Sequence, residues 1–319
     1  NSIVPNRLSH LWQDGHSSVD GNGRTISQLG PWEGETKISI AIDIGTTYSG
    51  VAFTFLQKGS SPVIHRVTRW PGQEAHQQQS KIPTLIWYDT TQKAVAFGAE
   101  AQLDEIKEQV EDNEWFLAKH FKLHLHPDNL KAKHDLKLDA LPPGVNLEQI
   151  YSDFLRYLLK HTKAYFEDRV LDGKKIWEKY SDKMEVVLAH PNGWYCREQS
   201  FLRSAAVVAG LAGEDTASSR IRFVTEAEAA VHFCIHNANM KNVLKTGTNF
   251  GVCDDARFSK FQPVSAPTCS GGNRLARSDC RRKLTLSCRG RGFLLVSQTS
   301  PIWDWDDLFE SKHFSSILF

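Results

Sequence analysis

Apolar residues follow strand-like and helix-like patterns in turn along residues 37–254. Two apolar runs, Ile38–Ile42 and Val51–Phe55, lie on either side of a short polar turn that contains glycine, and this arrangement predicts a hairpin. Apolar β-branched and aromatic residues between turn signals predict further extended segments at residues 81–88, 95–98, 184–191, 221–224 and 249–254.

The helical pattern is clearest in residues 147–166. Apolar side chains recur there at the spacing of one helix face, and Asn146 precedes them as an expected N-cap. Shorter helices are predicted at 99–110, 197–211 and 226–235. Strands and helices in this order are typical of a layered α/β fold.

The two ends of the chain differ from this central region. Residues 1–36 are rich in Ser, Gly, Asn and Asp, so we expect a flexible leader. Residues 1–254 contain 28 basic and 31 acidic residues, whereas residues 255–319 contain 10 and 6 and lose the regular pattern. We therefore expect residues 255–319 to form a low-order basic tail outside the 37–254 domain.

Composition and charge narrow the class of protein. The chain has 319 residues, 40% hydrophobic and 24% charged, with a net charge of +1, as expected for a globular protein. These values predict neither nucleic acid nor membrane as a partner. The chain's six cysteines form no disulfide framework, so we expect a cytoplasmic location. The cysteines show no paired spacing for zinc, and Cys196 and Cys234 are expected to be small buried thiols.

The most informative polar segment is Asp43–Gly50, which follows the first apolar strand directly. A tight turn with glycine and two threonines can direct N–H groups and hydroxyls at phosphate oxygens, and a carboxylate at the strand end can hold hydrated Mg²⁺. The alternative is a hairpin turn whose polar groups only satisfy its own backbone.

This segment resembles the first phosphate-binding loop of the seventy-kilodalton heat-shock proteins, which belong to the actin-like ATPase superfamily. Four further blocks resemble segments of that family and occur in the same order along the chain. The resemblance is closer to the divergent branch of the family than to its ordinary members. They are Lys81–Thr84, Phe116–Phe121, Leu188–Leu211 and Val224–Ala230. The resemblance implies an α/β, ribonuclease H-like first lobe of an actin-like ATPase, with the second lobe largely missing.

The resemblance also implies residue roles for ATP and Mg²⁺. Asp43 would hold Mg²⁺ through water, and Thr46 and Thr47 would contact the β- and γ-phosphates. Gly45 and Tyr48 complete this loop, and Asp254 would open a second one.

Two catalytic residues follow from the same resemblance. Lys119 would lie near the γ-phosphate, although a register shift of three residues makes Lys122 an equal candidate. Glu226 would act on Mg²⁺-bound water, or it would only favour the first turn of its helix through the helix dipole.

The pattern breaks after Asp254. The family's second loop runs Asp-x-Gly-Gly-x-Thr-x-Asp, whereas residues 254–261 lack its glycines, threonine and last aspartate. We therefore expect weak nucleotide binding and little or no hydrolysis, and a truncated or frame-shifted version of a longer protein.

Three functions remain open at this point. The first is a heat-shock-type chaperone ATPase with client proteins or co-chaperones as partners. The second is a non-catalytic interaction module derived from the same lobe. The third is a sugar or polyol kinase of the same superfamily, for which the sequence shows no recognisable sugar-binding segment.

Overall fold

The computed structural model describes residues 31–74, 79–133 and 135–230, together with isolated strands at 24–26, 248–252, 284–288 and 291–297. The chain divides into two compact units, with the boundary between Ala229 and Ala230. The described residues 24–229 belong to the larger unit, and the last three strands belong to the smaller one. Each unit is described on its own.

A seven-stranded sheet forms the centre of the larger unit, in the order β1-β4-β3-β2-β9-β10 with β5 paired to β3. Its strands are β1 (Arg24–Ile26), β2 (Lys37–Ile44), β3 (Tyr48–Leu56), β4 (Val63–Arg66), β5 (Lys81–Pro83), β9 (Glu185–His190) and β10 (Ile221–Thr225). The predicted hairpin is the antiparallel β2–β3 pair, and β2 is parallel to β9. β1 lies within the segment predicted as a leader.

A second sheet of three strands has the order β7-β6-β8. Its strands are β6 (Leu85–Tyr88), β7 (Ala94–Phe97) and β8 (Phe116–Lys119). The extended segment predicted at 81–88 therefore divides at Thr84 between the two sheets. The Thr84 hydroxyl joins them, because it lies 2.8 Å from the Ser49 hydroxyl of β3 while Thr84 leads directly into β6.

Seven α-helices accompany the sheets in the described part of the larger unit, besides a helical turn at 226–229. They are α1 (Asp104–Asn113), α2 (Lys122–Leu125), α3 (Asp128–Lys133), α4 (Leu147–Arg169), α5 (Gly173–Tyr180), α6 (Cys196–Val208) and α7 (Ala217–Arg220). The α4 prediction is confirmed with its cap, since Asn146 Oδ1 accepts a 2.8 Å hydrogen bond from the Gln149 N–H. Phe154, Leu155 and Leu158 of this helix are fully buried in the core.

The α/β class predicted from the sequence is confirmed, and one local prediction is wrong. Cys196 is exposed, because it is the first residue of α6, where the side chain does not face the core. Cys234 lies outside the described residues. In the ranges that the structure describes, no helix has the length and apolarity required to cross a bilayer.

The smaller unit contains an antiparallel sheet in the order β11-β13-β12. These strands are β11 (Thr248–Val252), β12 (Leu284–Cys288) and β13 (Arg291–Ser297). β11 matches the last strand predicted from the sequence. β12 and β13 fall in the segment predicted as a low-order tail.

Candidate phosphate-binding site

The carboxyl ends of three parallel strands meet at one edge of the large sheet. Asp43 of β2 is the register partner of Ala189 in β9, and His190 of β9 is the partner of Thr225 in β10. Glu226 follows Thr225 directly. Open α/β sheets bind their ligands outside this edge, so the fold brings Asp43 and Glu226 to the edge where a ligand is expected.

The turn between β2 and β3 is tight. A Cβ atom on Gly45 would lie 2.2 Å from the Tyr48 carbonyl oxygen, so no larger residue fits this backbone. The Thr47 carbonyl accepts a 2.9 Å hydrogen bond from the Thr84 N–H, which fixes the turn to the start of β6. Thr46 is partly exposed, whereas Thr47 and Tyr48 are exposed. The hydroxyls of the turn therefore project from a backbone that this hydrogen bond holds in place.

Asp43 is held by a lysine that the sequence analysis did not identify as a site residue. Lys81 of β5 donates to Asp43 Oδ2 through Nζ. The Asp43 side chain is 14% exposed and that of Lys81 is 39% exposed. The signal in the sequence was weak, because Lys81 lies 38 positions away and only the strand register brings it to Asp43.

The chemistry of the turn fits a hydrated Mg²⁺ ion. Mg²⁺ prefers oxygen ligands and is usually held by one or two carboxylates together with waters and substrate phosphates. Across the described residues, no three His, Cys, Asp or Glu side chains gather into a metal cage. Asp43 is the carboxylate of this turn that would hold such an ion, with waters and phosphates as the other ligands.

A buried lysine lies beside the second predicted carboxylate. Lys122, the first residue of α2, donates a 2.5 Å hydrogen bond from Nζ to Glu226 Oε1. Its side chain is only 5% exposed, and its Nζ lies 5.9 Å from the centroid of the Trp194 ring. Thr225 Oγ1 accepts a 3.1 Å hydrogen bond from the Glu228 N–H, so it caps the helical turn that begins at Glu226.

Lys119 has different surroundings. It ends β8 as the register partner of Leu85, its side chain is 44% exposed, and its Nζ lies 3.4 Å from Asp139 Oδ1. His120 follows with a φ of 49°, a left-handed conformation that turns the chain between the two lysines. Glu226 is thus paired with Lys122, and Lys119 is paired with Asp139.

A small cavity lies between the end of β2 and Lys122. It has a volume of about 10 Å³, and its lining includes Ile44, Lys122, Tyr151 and Trp194. The Tyr151 hydroxyl is buried and has no hydrogen-bond partner within the described ranges. Burial raises the pKa of Tyr151 above its ordinary value, and the charge of Glu226 raises it further. The end of β2 and the Lys122–Glu226 pair therefore share one buried neighbourhood.

The structure brings most of the predicted site residues to one edge. Asp43, the Gly45–Tyr48 turn and Glu226 lie there, whereas Asp254 falls outside the described residues. Lys81 and Trp194 were missed because each acts through a partner distant in sequence. Trp194 also donates a 2.9 Å hydrogen bond to His126 Nδ1, which fixes its ring beside Lys122.

Sequence comparisons find that the chain is similar to heat shock 70 kDa proteins. No protein-family model matches. Human heat shock 70 kDa protein 12A is 28% identical over 241 residues, covering 73% of this chain and 32% of that protein. The mouse protein of the same name is 28% identical over 204 residues, covering 62% and 28%. Human heat shock 70 kDa protein 12B is 28% identical over 213 residues, covering 64% and 29%.

The fold is a layered α/β domain, as the sequence predicted. The chain is similar in sequence to these heat shock 70 kDa proteins, and it spans about a third of the length of the curated relatives that it matches. Among solved structures, a non-polymerising MamK mutant bound to AMPPNP is 12% identical with a TM-score of 0.32, over 64% of this chain and 45% of that one.

Proposed function

We propose that the larger unit binds the phosphates of ATP together with Mg²⁺, as part of a chaperone-type ATPase. The observation that supports this most directly is the buried Lys122–Glu226 pair, which lies at the same sheet edge as the Asp43–Gly50 turn. A desolvated cation at the carboxyl ends of parallel strands is suited to an anionic ligand. The relatedness to heat-shock proteins supports ATP as that ligand.

Each residue of the site has a specific role in this proposal. Asp43 holds Mg²⁺ through water, and Gly45 lets the turn approach the phosphates closely. The β- and γ-phosphates would accept hydrogen bonds from the turn residues Thr46, Thr47 and Tyr48.

Lys122 is the proposed catalytic lysine near the γ-phosphate, in preference to Lys119. Its Nζ is already directed at the partner carboxylate of the site, and its low exposure strengthens its field at a bound phosphate. Glu226 orients Lys122 and accepts a hydrogen bond from a water molecule bound to the metal. Phosphoryl transfer depends mainly on such positioning and charge neutralisation.

The proposed activity is limited in this chain. Residues 254–261 lack the glycines of a second phosphate loop, so the protein would make fewer contacts with one side of the phosphates. Lost contacts reduce affinity, because the entropic cost of association stays the same. We expect weak ATP binding and slow or absent hydrolysis. Clients and co-chaperones would be partners of the longer heat-shock-type protein.

Calorimetric titration of the full chain with ATP and Mg²⁺ tests the proposal. Asp43→Asn preserves the shape of the side chain and removes the charge that would hold Mg²⁺, so the ATP affinity in the presence of Mg²⁺ should fall. Asp112→Asn on the exposed face of α1 makes the same charge change and should leave binding intact. Equal ATP affinity in both variants would refute the assignment of Asp43.

The remaining functions give different results in the same assays. Absence of ATP binding by the folded wild-type chain would favour a non-catalytic interaction module. Phosphate release without any added sugar would exclude a sugar kinase. Hydrolysis that depends on a sugar or polyol would support the kinase instead.

A further inference from the structure

Lys81, Gly50 and Asp43 form one row across three neighbouring strands. Asp43 of β2 is the register partner of Gly50 in β3, and Gly50 is the partner of Lys81 in β5. Residues that face each other across antiparallel strands project to the same side of the sheet. The side chains of Asp43 and Lys81 therefore lie on the same face, with a residue that lacks a side chain between them.

Gly50 is what allows the lysine to reach the carboxylate. A Cβ atom at Gly50 would lie 2.8 Å from Lys81 Cδ and 3.3 Å from Lys81 Cε. The aliphatic part of Lys81 thus occupies the space above Gly50, and its Nζ reaches Asp43 Oδ2. The contact depends on the strand register and on the absence of a side chain at Gly50.

The position of this ammonium is significant because Asp43 is the proposed Mg²⁺ residue. One carboxylate cannot fully neutralise both a lysine and a divalent ion, and two cations close together repel each other. An ammonium group is also a good phosphate ligand, as the lysines of other phosphate-binding loops show. Lys81 can therefore perform part of the charge neutralisation that Mg²⁺ would otherwise supply.

We propose that Lys81 is a built-in cation of the phosphate site, which competes with Mg²⁺ for Asp43 and reduces the dependence of ATP binding on the metal. This inference rests on the proposed function, because it requires that the site bind nucleotide phosphates. Lys81 acts here as a positioning residue at Asp43 and as a direct phosphate ligand.

The test is the dependence of ATP affinity on Mg²⁺, measured by calorimetry on the full chain with either EDTA or saturating Mg²⁺. Lys81→Met keeps the aliphatic stem and removes the charge. Lys81→Arg keeps the charge with a different geometry and should retain more affinity in EDTA than Lys81→Met does. Lys93→Met, in the turn before β7, makes the same charge change at an exposed position and serves as the matched control.

In wild type and Lys93→Met, the affinity should depend on Mg²⁺ less strongly than it does in Lys81→Met. In Lys81→Met, affinity in EDTA should fall and Mg²⁺ should restore it by about tenfold or more, since one local charge is worth roughly this factor at a partly exposed site. Gly50→Ala, which displaces the lysine stem, should shift the metal dependence in the same direction. Circular dichroism establishes that each variant is folded.

The alternative outcomes are distinguishable. If wild type binds ATP only with Mg²⁺ and Lys81→Met behaves identically, the Lys81 inference is overturned while the proposed function stands. If no folded variant binds ATP with or without Mg²⁺, both are overturned. If wild type and Lys81→Met respond to Mg²⁺ in the same way, whether strongly or weakly, the Lys81 inference is likewise overturned.

Discussion

Lys122 Nζ donates a 2.5 Å hydrogen bond to Glu226 Oε1 across 104 positions of sequence. The lysine is almost fully buried, whereas the glutamate side chain is 25% exposed. Trp194 covers the ammonium from a second direction. This pair connects the start of α2 to the end of β10, so it supports the fold and the proposed chemistry together.

Lys122→Met should therefore reduce both stability and phosphate binding. Removing one partner of a buried ion pair leaves the other charge uncompensated, and the free energy of unfolding should fall by about 3 kcal/mol. Urea denaturation followed by tryptophan fluorescence measures this loss. ATP titration of the folded variant should show weaker binding than wild type.

Lys119→Met is the matched comparison, because it makes the same change three positions earlier. Lys119 is half exposed beside Asp139, and such surface pairs contribute little to stability. Its urea midpoint and ATP affinity should match those of wild type. If Lys119→Met loses binding and Lys122→Met does not, the assignment of the catalytic lysine is reversed.

Tyr151→Phe should leave stability unchanged or raise it by about 1 kcal/mol, because it removes a buried hydroxyl that has no partner in the described part of the chain. Tyr88→Phe is the control, since the equally buried Tyr88 donates a 3.1 Å hydrogen bond to Asp153 Oδ2. That variant should lose about 1 kcal/mol. The measurement is the urea midpoint of each variant under the same conditions. A larger loss of stability in Tyr151→Phe than in Tyr88→Phe would show that the Tyr151 hydroxyl has a partner in the cavity.

Much of this fold was predictable because local patterns determine it. The β2–β3 hairpin follows from two apolar runs around a glycine turn, and α4 follows from apolar spacing and a capping Asn146. The division of residues 81–88 at Thr84 was not predictable. It results from tertiary pairing, since β5 joins β3 while β6 joins β8.

In the candidate site, too, local features were predictable from sequence and tertiary contacts were not. Asp43 and Glu226 were identified because their local segments resemble a family. The choice between Lys119 and Lys122 could not be made from sequence, because it depends on the left-handed turn at His120 and on packing against Trp194. The Asp43–Lys81 pair was missed because cross-strand register is not a local property.

Gly45→Ala should disrupt the β2–β3 turn. The added Cβ would approach the Tyr48 carbonyl oxygen to 2.2 Å, so the backbone must shift, at a cost of about 2–3 kcal/mol. ATP binding should be lost along with the turn geometry. Gly59→Ala is a useful comparison, because Gly59 has open space around it and a φ of 80°. That variant should lose only about 1 kcal/mol and keep binding; equal losses would show that turn sterics are not the cause.

His161 should make stability depend on pH in the acidic range. Its ring lies 4.4 Å from the Tyr157 ring and 6.1 Å from the Trp70 ring, measured between centroids. Burial, and secondarily the charge of Lys160, lowers the pKa of His161 from 6.5 to about 4. The folded protein thus binds fewer protons at His161 than the unfolded chain does.

The stabilising effect of a neutral His161 is fully present above pH 6.5 and is lost as the pH falls towards about 4. His161→Leu removes this titration while keeping an apolar side chain beside Trp70. The urea midpoint of wild type should therefore fall more steeply between neutral pH and pH 4 than that of the variant, because carboxylates contribute equally to both. Parallel curves for the two proteins would show that His161 is not held neutral in the folded state.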